Sequence, residues 1–140
     1  MKEIVDKLYE GKYSCVIRNG EIRSFTQRGV ADVYYLLKNE PAFLKGASVA
    51  DKVVGKGVAA LLALGEVSEL YADVVSAAAL DLLQKTPVKI LYREKVPAIK
   101  NRSNTGLCPL EASCAGEDSA AAILPIVDSF IKAKIAAQGK

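Results

Sequence analysis

Histidine is absent from this 140-residue chain, and its absence excludes a broad range of chemistry. Ser-His-Asp triads, Cys-His dyads and histidine-ligated metals are ruled out, as is the usual general base near neutral pH. Cysteine is scarce, with Cys15, Cys108 and Cys114 making three. An odd number without an export signal implies reduced thiols and a cytoplasmic location. No apolar run approaches the roughly 20 residues of a membrane span; the longest candidate covers only residues 58–64. The N-terminal MKEIVDKLYE interleaves acids with apolar positions and lacks the unbroken apolar stretch of a signal peptide. Charge of one sign is lacking too. The net charge is +3 and the basic residues are scattered among acids, so neither nucleic acid nor a membrane is an expected partner.

What remains is a globular composition, 51% hydrophobic and 25% charged, of a length that suits one domain with one core. Residues 2–9 space Ile4, Val5 and Leu8 as a helix does. Alternating runs at 13–18 and 21–26 flank Asn19-Gly20, which predicts a hairpin with a two-residue type I′ turn. A helix over 30–38 should end before Pro41. A strand at 47–54 leads through Gly55-Lys56-Gly57 into VAALLAL, apolar all round, which predicts a buried helix with Gly65 as its C-cap. A strand at 68–75, a helix at 77–84 capped by Ser76, and a strand at 88–92 carrying Val88, Ile90 and Tyr92 on one face follow. A polar loop at 101–106 precedes a short helix with Pro109 in its first turn. A last helix spans 118–136, capped by Asp118 or Ser119 and kinked or split at Pro125. This order predicts an α/β fold of three α-β-α layers around a mixed five-stranded sheet with helices on both faces. Ligands in such sheets sit beyond the carboxyl ends of the strands, near Asp51 to Gly57 and near Ser76.

Three stretches resemble a known family: DKVVGKGVAALL from Asp51, YADVVS from Tyr71 and NRSNTGLCPLE from Asn101. They are similar to the signature of the domain-of-unknown-function family 1893. The resemblance covers most of the chain up to Glu111 and implies a cytidine-deaminase-like fold without a settled activity. Zinc deaminases need a His or Cys at the start of one buried helix, a Glu two residues later and a cysteine pair at the start of the next helix. On the resemblance those positions fall at Gly55, at Gly57 and near residues 76–79, Ser-Ala-Ala-Ala. Neither a metal donor set nor a proton shuttle remains, so no metal and no cofactor are expected.

Lys56, between two glycines at a helix start, could help seat an anion, or it could be a solvated lysine beside a tight turn. Asp51 could pair with Lys56 or Arg102, or serve as a strand-end turn residue. Cys108, followed by proline, could be a reactive thiol or a buried small hydrophobe, with Cys114 as a resolving thiol. Glu111 could be a general base or a first-turn acid that suits the helix dipole. Asn101, Arg102, Asn104, Thr105 and Gly106 could read a ligand or be plain turn residues. Cys15, alternating with Tyr13 and Ile17, reads as core. Three functions stay open. The first is a binding module for a small anionic or nucleotide-like ligand at Asp51, Gly55, Lys56, Gly57, Ser76 and the 101–111 loop. The second is a metal-independent or redox-active enzyme using Cys108 and Glu111. The third is an interaction protein forming a homo-oligomer through its apolar C-terminal helix.

Overall fold

A computed structural model describes residues 1–27, 30–99 and 109–138. Ile4 and Leu8, one turn apart, form the buried stripe of α1 (Lys2–Glu10). The hairpin β1 (Cys15–Asn19) and β2 (Glu21–Phe25) follows, then α2 (Ala31–Asn39) and α3 (Pro41–Leu44). Pro41 ends one helix and opens the next, where its missing N–H costs no hydrogen bond. Two β-α units come next: β3 (Ser48–Val54) with α4 (Lys56–Leu64), and β4 (Glu69–Ser76) with α5 (Ala77–Gln84). The chain continues with β5 (Lys89–Val96), α6 (Pro109–Cys114) and α7 (Ala120–Gln138).

The strands form one sheet in the order β2-β1-β3-β4-β5. β1 runs antiparallel to both neighbours, while β3, β4 and β5 are parallel and joined by crossover helices. This is the mixed five-stranded sheet expected, with helices on both faces, but the faces are covered unequally. On one face α1 packs against β1 and β3, closing a small core of Ile4, Leu8, Val16 and Ala50. On the other, α2, α4 and α5 enclose the main core, and α6 and α7 pack onto α4. Packed on several sides, α4 buries every residue from Lys56 to Leu62, which explains its lack of a polar stripe.

Several local expectations need correction. The hairpin turn is not type I′: only Gly20 has a positive φ, 79°, and Arg18 pairs with Ile22 rather than with Glu21. Asn19 is drawn into the strand end because its amide donates to the carbonyls of Phe43 and Lys45, each at 2.9 Å. Gly65 does follow α4, but with an ordinary right-handed φ of −73°, and Glu66 takes the left-handed conformation at φ 59°. Glycine is needed at 65 for closeness instead, since a Cβ there would lie 2.9 Å from Leu44 Cδ1. β5 runs four residues beyond residue 92. As an edge strand it leaves Tyr92 44% exposed, whereas Val88 and Ile90, expected on the same face, reach the core. α7 is not split at Pro125, whose ring lies on an exposed position of the helix. Ser119 rather than Asp118 caps its start, accepting the Ala122 N–H at 3.1 Å. Among the described residues, no helix is long and apolar enough to cross a membrane.

Candidate functional site

β3 and β4 pair in parallel up to Val54 and Val75, so they end side by side. Each hands the chain directly to a helix, α4 after Gly55 and α5 after Ser76. Two helix N-termini therefore open onto the same edge of the sheet, each with unsatisfied N–H groups and the positive end of its dipole. The α5 terminus is capped in the ordinary way, by Ser76 Oγ accepting the Ala79 N–H at 3.1 Å. The α4 terminus has glycine at the N-cap and no side chain of its own to serve.

Glu111 of α6 supplies what Gly55 lacks. One carboxylate oxygen, Oε2, accepts the Lys56 N–H at 2.9 Å, and the other, Oε1, accepts the Ser76 hydroxyl proton at 2.9 Å. The Ser76 hydroxyl is thus donor and acceptor at once, and Glu111 bridges the two helix starts. All three residues are buried. Burying a carboxylate is unfavourable by itself. Hydrogen bonds to both oxygens and the proximity of two positive helix ends offset the cost. The glycines make the approach feasible. A Cβ on Gly55 would fall 2.3 Å from Glu111 Oε2, and one on Gly57 would fall 2.7 Å from Leu110 Cδ2. Gly55 and Gly57 are the floor on which α6 rests.

Lys56 has its stem packed away, with 5% of the residue exposed. Its ammonium lies 3.8 Å from Asp118 Oδ1, and that aspartate side chain is 88% exposed. A long contact to a solvated carboxylate is a weak counter-charge. Among the described residues, Asp118 is the one carboxylate within 4 Å of this ammonium.

Asp51 belongs to a different cluster. It is neither a strand-end turn residue nor a partner of Lys56, but the cross-strand neighbour of Cys15 within β3. Its Oδ1 accepts the Val53 N–H at 3.2 Å. Burial raises its pKa to about 7, against the pull of hydrogen bonds from the Val53 N–H, the Cys15 thiol and the Lys52 N–H. The nearby Asp32 carboxylate in the first turn of α2 raises it further. Burial, together with Asp51 and Asp32, pushes the Cys15 thiol well above its ordinary value, as suits a core residue.

Of the predicted site residues, the structure brings together Gly55, Lys56, Gly57, Ser76 and Glu111. Asn101, Arg102, Asn104, Thr105, Gly106 and Cys108 lie outside the described residues. Cys114 ends α6 and is buried. Sequence reasoning missed Asp118 as the partner of Lys56 and the long-range cap by Glu111. A glycine N-cap with no acceptor of its own was the available signal for the latter. Among the described residues, no three His, Cys, Asp or Glu side chains are grouped so as to hold a metal ion.

Comparison with known proteins gives a family but no activity. The family model TM1506, described as a domain of unknown function (DUF1893), matches residues 3–131. No curated protein matches the chain. A solved structure of a DUF1893 family protein (TM1506) from Thermotoga maritima, at 2.70 Å resolution, superposes with a TM-score of 0.84 at 26% sequence identity. The match covers 91% of this chain and 87% of that one.

Proposed function

The chain belongs to the DUF1893 family, and from that premise we propose that it is a cytoplasmic small-molecule-binding domain for an anionic or nucleotide-like ligand at the carboxyl ends of β3 and β4. One observation carries the reading. The nearly buried Lys56 ammonium meets only the exposed Asp118, 3.8 Å away, among the described residues. A ligand phosphate or carboxylate would give that cation a closer partner than Asp118 does. The position agrees with the general rule that ligands of open parallel sheets lie beyond the strand ends. Asn101, Arg102, Thr105 and Gly106, in the segment that leads into α6, would supply the polar contacts to the rest of the ligand.

The reading also suits a cytidine-deaminase-like scaffold that has lost its metal. Gly55, Gly57 and Ser76 stand at the ligand and shuttle positions that the resemblance implies, and the Glu111 carboxylate takes up the polar capacity between them. A thiol enzyme with Glu111 as base is less well supported, because both Glu111 oxygens already accept hydrogen bonds within the fold.

A thermal-shift series tests the proposal, using nucleosides, nucleotides and phosphorylated metabolites on the wild type and on Lys56→Met. Stabilisation by phosphorylated compounds alone, lost in Lys56→Met, is the expected result. Absence of any shift with every anionic compound would rule the reading out.

A further inference from the structure

We propose that α6 is a removable strap and that the Glu111 carboxylate is an internal stand-in for the anionic group of the ligand. The inference rests on the binding site just described and concerns how that site is kept closed. Four observations support it.

The Glu111 carboxylate is itself an anion held by a backbone N–H of α4 and the hydroxyl that caps α5. These are the contacts a ligand carboxylate or phosphate would make at the same place. Next, the fold does not cap α4 locally, although Ser76 shows that the neighbouring helix does so with one hydroxyl. Gly55 leaves a gap that another element must enter, and the Glu111 oxygen fills it so closely that even a methyl group would collide. Third, the element that enters is short and contributes just two hydrophobic residues, Leu110 and Cys114, to the main core. α6 has six residues, packs on α4 and α7, and leaves Pro109, Ala112 and Ser113 exposed. Lifting it would leave the sheet pairing intact. Fourth, Lys56, whose N–H holds Glu111, carries an ammonium whose counter-charge among the described residues is the exposed Asp118, 3.8 Å away.

The exchange conserves hydrogen bonds. The incoming anion would accept from the Lys56 N–H and the Ser76 hydroxyl while Glu111 swings to solvent, and Glu111 would restore both bonds when the ligand departs. The buried donors are never left without an acceptor, which would otherwise be the main cost of an open site. Ligand affinity is then lowered by competition from Glu111, and α6 must move for full engagement.

Chemical rescue tests this. Glu111→Ala empties the seat. Its melting temperature should fall in chloride buffer and recover by about 3 °C or more, saturably, in formate or inorganic phosphate at matched ionic strength. Wild type and Glu111→Gln, whose seats remain filled, should need at least about tenfold more anion for any comparable rise. Equal responses of Glu111→Ala and wild type to all three anions would overturn the proposal. If Glu111→Ala does not fold in chloride, refolding from urea gives the same readout. Recovery in formate or phosphate but not chloride supports the strap, and recovery in none of them overturns it. The two readings fail separately. Rescue of Glu111→Ala by formate, with wild type binding no nucleotide or metabolite, would leave the strap standing and remove the proposed function. Ligand binding by wild type without rescue of the variant would remove the strap alone.

Discussion

Asp51 places a carboxyl group where the surroundings favour its neutral form. An acid whose pKa rises on folding, here from 3.8 to about 7, binds its proton more tightly in the folded chain than in the unfolded one. The stability this contributes is fully present below about pH 4 and is lost as pH rises toward about 7. The shift sets an upper limit of about 4 kcal/mol on that loss. Urea unfolding of the wild type should therefore show declining stability across this window, and Asp51→Asn should flatten the curve. A wild-type curve that is already flat would mean that Asp51 is better solvated than its 8% exposure implies. The paired Asp73 and Asp128, whose pKa values are lowered by Arg93 and Tyr34, act at lower pH and do not obscure the test. At the same scale, Gly65 and Glu66 exchange the roles that sequence assigns them. Glu66→Gly relieves a left-handed non-glycine residue and should stabilise the chain by about 0.5–1 kcal/mol. Gly65→Ala forces Leu44 aside and should cost about 1–3 kcal/mol. Urea midpoints of the two variants should move in opposite directions.

At the scale of elements, much of the fold was legible where a pattern had one cause. The all-apolar VAALLAL segment could only be enclosed, and Ser76 before an apolar run matched a helix cap. The hairpin was legible as a hairpin but not in its register, because Asn19 serves α3 rather than its own turn. No local rule contains that contact. Asn19→Ala should accordingly cost about 1–2 kcal/mol in urea unfolding, by loss of its bonds to two α3-region carbonyls. If Asn19 acted only through the turn, Asn19→Gly would be nearly neutral. It should instead be as harmful as alanine. The candidate site shows the same limit. Gly55, Lys56, Gly57, Ser76 and Glu111 were each visible in sequence. Their junction was not, since 35 residues separate Ser76 from the carboxylate that binds it. A double-mutant cycle tests that junction. Gly55→Ala and Glu111→Ala should each cost about 1–3 kcal/mol, and the double variant less than the sum by about 1 kcal/mol or more. Strict additivity would show that the glycine is not there to admit the carboxylate.

For the molecule as a whole, the unequal covering of the sheet has a dynamic consequence. The main core draws on α2, α4, α5, α6 and α7, whereas α1 closes only a four-residue core on the opposite face. Burial sets the free energy of local opening, so the α1 layer should open well before the rest of the chain. Its far end is held by polar contacts instead. The Tyr9 hydroxyl meets Tyr71 at 2.7 Å and donates to Asp73, which also accepts from Arg93 at 2.6 Å. The predicted three layers thus differ in strength, a property that the order of helices and strands cannot convey. Hydrogen exchange followed by mass spectrometry checks the consequence. Amides of α1 should exchange through a local opening faster than those of α4. Tyr9→Phe, which keeps the ring but removes the hydroxyl, should speed α1 exchange by roughly three- to tenfold, equivalent to about 0.7–1.4 kcal/mol, and leave α4 unchanged. Equal acceleration of both helices would instead mean that the domain opens as one unit and that the network on the α1 face supports the whole fold.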